Sequence, residues 1–510
     1  MISSLIGGAE VPGTAGTLAS VNPADLSDTV AEISLASADQ VVEAFRVAKA
    51  AQVAWAATPA PVRGRVIAQV GRLVESNKEA LAALVTREVG KPRAEALGEV
   101  QEIIDTCDFF LGEGRRLYGH TVPSEMRDKQ LFTFRVPVGV AGIITAGNFP
   151  VAVPSWYLVP ALLCGNAVVW KPAEYSAALG DALTKLFVAG GVPAGVLNTV
   201  HADGPTTFEA LSQALEQGLV QKVGFTGSTE VGQQIGALCG KHLQTPCLEL
   251  GGKNPLVVMP DADLDLAAEG ALFSGFGTAG QRCTSLGVAI VHEDVYDDFL
   301  ARFTQRVDDA VVGEPTGDVL YGPMLSERFL EGYLKWVGEI QPHQTVHGPT
   351  GRITADSPRA GFVGDPDKGV FAHPVVVSGV TKDDALYRNE TFGPIVSVMR
   401  FSTFDEAVDL ANSHGYGLSS AIYTSDPKTV WDFRNRVSAG MLSINNSTSG
   451  AEAHLPFGGN GKSGNGSRQS GVWVLDQFTR WQSMNWDYAG KLQKAQMDTE
   501  ESSHDPGFTL

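Results

Sequence analysis

From Ser37 to about residue 114, apolar residues recur at three- and four-residue intervals. Val41, Val42, Phe45 and Ala48 share one face of a helix that Ser37-Ala38-Asp39 begins. The same spacing predicts helices over about 61–76, 78–89 and 94–114. Leu131-Phe132-Thr133-Phe134-Arg135-Val136 alternates and reads as a strand. From there short apolar runs and helical stretches take turns. Strands are predicted at 140–145, 167–170, 196–200 and 222–225, with helices over about 153–164, 175–190, 206–217 and 229–239. Gly191-Val192-Pro193 marks the turn before the third of these strands. Alternation at this spacing predicts right-handed crossovers and a parallel sheet, so the order is α-rich first and α/β afterwards.

A second α/β lobe is predicted after Gly251. It has strands at 254–259 and 289–291, each followed by a helix, at 263–275 and 297–307. The stretch 343–370 is rich in Gly, Pro and Asp and reads as loop. Late strands are predicted at 375–377, 395–399 and 441–444, and the Gly-rich segment 457–471 reads as a long loop. A tail over 498–510 is expected to fray. There is no internal repeat.

Length changes this picture only by asking for two or more lobes, since 510 residues exceed a single core. A net charge of −19 argues against nucleic acid or an anionic membrane as partner. Five cysteines (Cys107, Cys164, Cys239, Cys247, Cys283) form no CxxC pair and no Cys/His cluster. Neither a disulfide framework nor a metal site is therefore expected. Met1-Ile2-Ser3-Ser4-Leu5 lacks a basic stretch and a long apolar one. No run reaches the roughly 18 apolar residues of a spanning helix. A cytoplasmic protein is expected.

Candidate chemistry centres on Gly280-Gln281-Arg282-Cys283-Thr284-Ser285. Small residues (Gly275, Gly277, Thr278, Ala279, Gly280) let backbone crowd around the thiol, and Arg282 puts a cation beside it. About 30 residues earlier, Glu249 lies in the apolar, Gly-flanked run Leu248-Glu249-Leu250-Gly251-Gly252. A thiol, a cation and a carboxylate able to act on water are the parts of covalent catalysis by cysteine. A free Cys taken alone is more often a buried small hydrophobe. Gly459-Asn460-Gly461-Lys462-Ser463-Gly464 fits GxGxxG but opens no alternating run, so it reads as loop. Gly224 to Gly232 is the better phosphate site. It follows a strand and opens a helix, Gly227 permits close backbone approach, and N–H groups at Ser228-Thr229 attract a pyrophosphate. An ordinary capped helix would carry the same residues.

These residues, with others, resemble the aldehyde dehydrogenase superfamily over nearly the whole chain. The matching segments, in family order, are 145–150 (Thr-Ala-Gly-Asn-Phe-Pro), 170–174 (Trp-Lys-Pro-Ala-Glu), 224–232, 248–252, 276–283, 390–394 (Glu-Thr-Phe-Gly-Pro) and 456–459 (Pro-Phe-Gly-Gly). The resemblance implies an α/β fold with three parts. A Rossmann-like NAD-binding domain would take residues 1–121 and 141–250. An α/β catalytic domain would take 251–445. A small β oligomerisation element would take 122–140 and 475–497, making a homo-dimer or homo-tetramer.

It also implies NAD-dependent oxidation of an aldehyde to a carboxylic acid. Cys283 would attack the carbonyl, Asn148 and the Cys283 N–H would hold the oxyanion, and Glu249 would activate the water that hydrolyses the thioester. A Glu buried among leucines should have a raised pKa, which suits a base. Lys171 and Glu174 match positions at the adenosine ribose, where a carboxylate favours NAD over NADP. Gly227 and Ser228 match the pyrophosphate site, and Glu390 and Phe392 the nicotinamide-ribose end.

Within the superfamily the chain resembles the α-aminoadipic semialdehyde dehydrogenase (antiquitin) branch and related bacterial semialdehyde dehydrogenases. Residues 98–102, 148–153, 277–283 and 448–452 carry that resemblance. It implies that Glu102 and Arg282 anchor the two charged ends of a semialdehyde such as α-aminoadipic semialdehyde, with Phe149 and Trp156 walling its chain. His454-Leu455-Pro456-Phe457 is closer to general bacterial enzymes, and Gln469 stands where much of the superfamily has a Glu near the water path. General, succinic, α-ketoglutaric and glutamic semialdehyde dehydrogenases are the alternatives. An acylating enzyme that uses coenzyme A and a non-catalytic protein on the same fold are more remote ones.

Overall fold

The computed structural model describes residues 1–495 and 503–510. Its first seven-stranded sheet has the order Cys247–Glu249, Lys222–Thr226, Val140–Ile144, Ala167–Lys171, Leu197–Thr199, Ser4–Ile6, Ala9–Val11. The first five strands are parallel. Ser4–Ile6 joins their edge antiparallel and forms a hairpin with Ala9–Val11. Helices cover both faces. Ala38–Ala57, Gly204–Glu216 and Thr229–Lys241 supply one core; Ala60–Ser76, Lys78–Val89, Arg93–Glu113, Ala152–Leu163 and Ala177–Ala189 supply the other. This is the doubly wound α/β arrangement that the alternating pattern predicts.

The second seven-stranded sheet has the order Thr345–His347, Val375–Ser378, Ile395–Phe401, Leu286–His292, Asn254–Val258, Ser419–Tyr423, Met441–Ile444. Only its first pair is antiparallel. A large apolar core joins it to the helices Leu264–Phe276, Tyr296–Asp309 and Phe404–Asn412. A three-stranded antiparallel sheet, Thr479–Asp487, Lys129–Pro137, Thr121–Val122, stands apart from both. It exposes Phe134, Met484 and Trp486 on one face and Trp481 on the other. No helix among the described residues is long and apolar enough to cross a membrane. Of the expected tail, 498–502 lie outside the described residues and 503–510 are exposed, as 496–497 of the expected oligomerisation element also lie outside them.

The chain departs from the predicted order in several places, among them the strand Thr345–His347 inside the stretch read as loop and the unpredicted helices Glu327–Gly338, Phe404–Asn412 and Pro427–Arg436. Four strands, Ser4–Ile6, Ala9–Val11, Thr17–Val21 and Thr29–Ser34, precede the first helix. They are short, and Ala9–Val11 and Thr17–Val21 are mostly exposed, so those two lack the alternation that marks a half-buried strand. Ser419–Tyr423, fully buried between two parallel neighbours, has no predicted counterpart. Its serines break the apolar run but are satisfied locally, Ser419 Oγ donating to Thr448 O at 2.6 Å and Ser420 Oγ to Pro255 O at 3.3 Å.

For the site, the important element is Ala152–Leu163, a helix buried on every side. Its start follows Asn148-Phe149-Pro150. Glu99 supplies the cap that the local sequence lacks: one carboxylate oxygen accepts from Val151 N at 2.8 Å and Ala152 N at 3.2 Å. The other oxygen pairs with Lys91 at 2.5 Å, and neither side chain reaches solvent.

Candidate active site

The order of the first sheet reverses at Val140–Ile144, which has Lys222–Thr226 on one side and Ala167–Lys171 on the other. A crevice opens outside the carboxyl ends of strands at such a point. The register aligns those ends: Ile144 pairs with Lys171 and with Phe225, and Thr226 with Glu249. Asn148, Lys171, Gly227-Ser228 and Glu249 thus leave the same edge of one sheet. Ser228 caps Thr229–Lys241, its Oγ accepting from Val231 N at 3.4 Å. A Cβ on Gly227 would lie 2.4 Å from the Phe225 ring, so a larger residue here would have to displace that ring. Lys171 and Glu174 pair with each other at 2.8 Å.

Cys283 follows an unusual stretch of backbone. Thr278, Ala279 and Gly280 all have left-handed φ, of 53°, 53° and 68°. In Thr278 and Ala279 such backbone carries strain of order 1–3 kcal/mol each and persists only where the surroundings hold it, whereas a glycine adopts it freely. Here Glu95 accepts from Thr278 N at 3.2 Å and from Thr278 Oγ1, and Arg282 Nε donates to Thr278 Oγ1 at 3.1 Å. A Cβ on Gly280 would sit 2.2 Å from Gly393 O. Past the thiol, Asn254 Nδ2 donates to Cys283 O at 2.8 Å and to Ser285 O at 2.7 Å, and Thr448 Oγ1 to Thr284 O at 2.8 Å. Asn148 reaches the same loop from the other sheet, donating to Gln281 O at 2.9 Å. An amide has two N–H groups, so that bond uses one of them.

Cys283, half-buried, lines a cavity of about 320 Å³. Phe149, Val153, Trp156, Phe273 and Phe457 form its apolar walls, with Trp156 and Phe457 in contact at 4.5 Å between ring centroids. The matching family profile, that of the aldehyde dehydrogenase family, covers residues 11–484.

The chain belongs to the aldehyde dehydrogenase family.

Among its relatives is α-ketoglutaric semialdehyde dehydrogenase of Bacillus subtilis, 34% identical over 478 residues, which span 93% of this chain and 96% of that protein. Aldehyde dehydrogenase family 7 member A1 of Malus domestica is 34% identical over 486 residues, 94% of this chain and 92% of the relative. Betaine aldehyde dehydrogenase of Staphylococcus aureus, solved in complex with NAD+, superposes with a TM-score of 0.91 at 27% identity, covering 97% of this chain and 96% of that one.

In this aldehyde dehydrogenase burial raises the pKa of two of the site's carboxyl groups, Glu249 and Glu390. Glu249 is buried, and neither carboxyl oxygen has a hydrogen-bond partner among the described residues. Burial pushes its pKa well above the usual range; Glu390 adds to the shift and Arg468 opposes it. Burial, with the carboxylates of Glu249 and Glu390, likewise raises the Cys283 thiol, against the N–H groups of Thr284 and Cys283. Glu390 accepts from Gly252 N at 3.1 Å, and burial lifts its pKa to about 7. Phe392, two residues on, has φ of 41° and stacks near Phe329, with ring centroids 5.7 Å apart.

Arg282 and Glu102, expected to anchor the two ends of the substrate, both line this cavity. Arg282 is engaged by Glu95 at 2.6 Å. Glu102 is elsewhere in the cavity wall, and its buried Oε1 has no partner. Phe149 lies under Lys91, whose Nζ is 3.2 Å from the ring centroid. Gln469 is buried, donating to Cys247 Sγ at 3.2 Å and to Ser467 Oγ at 3.4 Å. The Gly459–Gly464 segment opens no helix; it docks on the Glu249 strand, with Leu250 N donating to Ser463 O at 3.0 Å.

Glu95, Glu99, Lys91 and Lys253 belong to the site, and sequence reasoning passes over them. A signal existed for the first two: residues 95, 99 and 102 share one face of Arg93–Glu113 by helical spacing. Lys253, fully buried with an unpartnered Nζ, directly follows the Glu249 motif. Burial lowers its pKa to about 7, opposed by Glu390.

Proposed function

We propose that this aldehyde dehydrogenase uses NAD to oxidise a semialdehyde that carries a carboxylate. The observation that carries this reading is the aromatic-walled cavity of about 320 Å³ ending on Cys283. It is large enough for a short aliphatic chain with a second polar end. Relatives named as semialdehyde dehydrogenases agree with it.

The chain's residues divide the work. Cys283 loses its proton to Glu249 and bonds to the aldehyde carbon. The free N–H of Asn148 and the Cys283 N–H receive the oxygen as it gains charge; such preorganised donors are worth about 3 kcal/mol each. NAD, when bound, supplies the hydride acceptor that turns the thiohemiacetal into a thioester. Once Glu249 has passed that first proton to solvent, it takes another from the water that attacks the thioester, and the carboxylic acid leaves as Cys283 regains its free thiolate. One aldehyde, one water and one NAD+ become one carboxylate, one NADH and two protons.

The crevice at the strand reversal fits a dinucleotide. Gly227-Ser228 at the start of Thr229–Lys241 would take the pyrophosphate, Lys171 and Glu174 the adenosine ribose, and Glu390 with Phe392 the nicotinamide end. Residues 1–121 and 141–250 would form this NAD-binding part, and 251–445 the part that carries the nucleophile.

Among carboxylate-bearing semialdehydes, one without an ammonium, such as α-ketoglutaric semialdehyde, is the better fit. Relatives named for α-ketoglutaric semialdehyde support it, and Glu102 is a weakened partner for an ammonium because burial and the neighbouring Glu99 raise its pKa to about 8. The test is a kcat/KM panel of α-ketoglutaric, succinic and α-aminoadipic semialdehydes and a plain aliphatic aldehyde, with NAD and with NADP. Carboxylate-bearing substrates should lead; a plain aldehyde in first place would overturn the reading. NAD should be preferred, since Glu174 meets a 2′-phosphate with like charge at a cost of roughly 1 kcal/mol. Glu174→Ser should narrow that gap, and equal efficiencies with both cofactors would remove this role from Glu174.

The exposed aromatics of Lys129–Pro137 and Thr479–Asp487 propose a homo-oligomer built on the three-stranded sheet. Multi-angle light scattering at micromolar concentration should give a dimer or tetramer mass. A monomer would exclude it.

A further inference from the structure

Val151, at the head of the buried helix Ala152–Leu163, has no side-chain acceptor, so the local sequence cannot cap that helix. Both ends are held instead by buried charges from other elements, each of the sign that the helix dipole favours. At the far end Arg63 Nε donates to Leu163 O at 2.7 Å, Trp55 Nε1 to Leu162 O at 2.9 Å and Asn166 Nδ2 to Ala161 O at 3.0 Å. At the near end one oxygen of Glu99 takes the N–H groups of Val151 and Ala152, and the other takes Lys91 Nζ. Exchanging a buried ion pair for packed apolar residues is often neutral or stabilising, so stability alone does not explain this one.

What the pair adds is a double grip on one short segment. Lys91 Nζ lies 3.2 Å from the centroid of the Phe149 ring, while Glu99 holds the backbone at 151 and 152. Pro150, with its fixed φ, stiffens the link between the two grips. Asn148 comes directly before them. On its other side Gly147 is pressed against Tyr175, where a Cβ would lie 2.4 Å from the ring. The Asn148 amide is tied through one N–H to Gln281 O, and the direction of the other is set by the backbone that carries it.

We infer that Lys91 and Glu99 are positioning residues: the buried pair fixes the head of Ala152–Leu163 and so aims the Asn148 amide at the place where the substrate oxygen gains charge. The inference rests on the reading of Asn148 as an oxyanion donor. Neither side chain acts on the substrate; the pair works through Asn148. Misplacing a preorganised group by about 1 Å can cost roughly a hundredfold in rate, so the effect belongs in turnover and not in binding.

The experiment is a double-mutant cycle in kcat and KM, with NAD and whichever of α-ketoglutaric semialdehyde and pentanal the wild type turns over faster. Asn148→Ala alone should lower kcat by roughly a hundredfold or more. Glu99→Gln keeps an acceptor for the helix but loses the hold of Lys91. Lys91→Met with Glu99→Gln removes both charges, so it leaves no unpaired buried cation should the single variant fail to fold. Each should lower kcat by roughly tenfold or more with KM unchanged. In the Asn148→Ala background the same changes should cost little further, because nothing remains to be aimed. The same factor lost in both backgrounds overturns the inference, as does no loss in the wild-type background. So does an equal loss of kcat from Arg63→Met, which uncaps only the far end of the same helix. If Asn148→Ala leaves kcat unchanged, the oxyanion reading itself falls, and the positioning role with it.

Discussion

Cys283→Ala should form essentially no NADH from any aldehyde, a loss of about four orders of magnitude or more in kcat, while still binding NAD. The expectation follows from what the substitution removes and what it leaves. It deletes one sulfur from the floor of the cavity. The loop is held by its backbone, through Asn254 to the carbonyls of Cys283 and Ser285 and through Thr448 to that of Thr284. The left-handed turn before it is held by Glu95 and Arg282, which the change does not touch. Asn148 keeps its bond to Gln281 O. Oxyanion donors and walls therefore persist without a nucleophile. Isothermal calorimetry with NAD and a thermal melt check that the fold and cofactor crevice survive. NADH production within a hundredfold of wild type would mean that another group makes the covalent bond.

That turn also marks how far the sequence is legible. The small residues before Cys283 announce close backbone approach, and the structure gives the reason: Gly280 lies against Gly393 O, where a Cβ would be 2.2 Å away. What holds the turn is tertiary. Glu95 comes from a helix almost two hundred residues earlier, and no periodicity says that its carboxylate folds under Thr278 rather than into solvent. Arg282 illustrates the same limit. Beside a cysteine it reads as a free cation for a substrate carboxylate, and only the packing of Arg93–Glu113 against the nucleophile loop reveals that Glu95 already has it.

The strands that alternate with helices are legible because each buried run is apolar and bounded by turn residues. Ser419–Tyr423 is not, because its burial depends on partners at Thr448 and Pro255 that satisfy two serines. The crevice is half legible. Gly224 to Gly232 suggests a phosphate site from local chemistry alone, whereas the alignment of Asn148, Lys171 and Glu249 at one edge depends on strand order, which local pattern does not encode.

Glu249→Gln should separate the two halves of the reaction. In stopped flow, the first turnover should appear as a burst approaching one NADH per active site. Steady turnover should then be slower by roughly two to four orders of magnitude, the usual contribution of a general base. Equal loss of both phases would instead mean that Glu249 acts mainly in deprotonating Cys283. The pH dependence follows from burial. Both carboxyl oxygens are without partners, and the pKa lies well above the ordinary value of 4.5, with Glu390 adding to the effect of burial. The acid form therefore dominates as pH rises past that value, and the base form grows tenfold per pH unit until the raised pKa is reached. Thioester hydrolysis by the wild type should climb over that range, and the climb should be absent in Glu249→Gln.

Stability must move the opposite way. The folded state binds this proton more tightly than the unfolded chain, so the wild-type protein gains stability from it at low pH and loses that gain as pH rises through the raised pKa. A glutamine has no such proton. The melting temperature of Glu249→Gln minus that of the wild type should therefore increase steadily from mildly acidic to alkaline pH. A difference that is constant across that range would mean that Glu249 titrates as an ordinary exposed carboxylate, and the base would have to be sought elsewhere in the cavity.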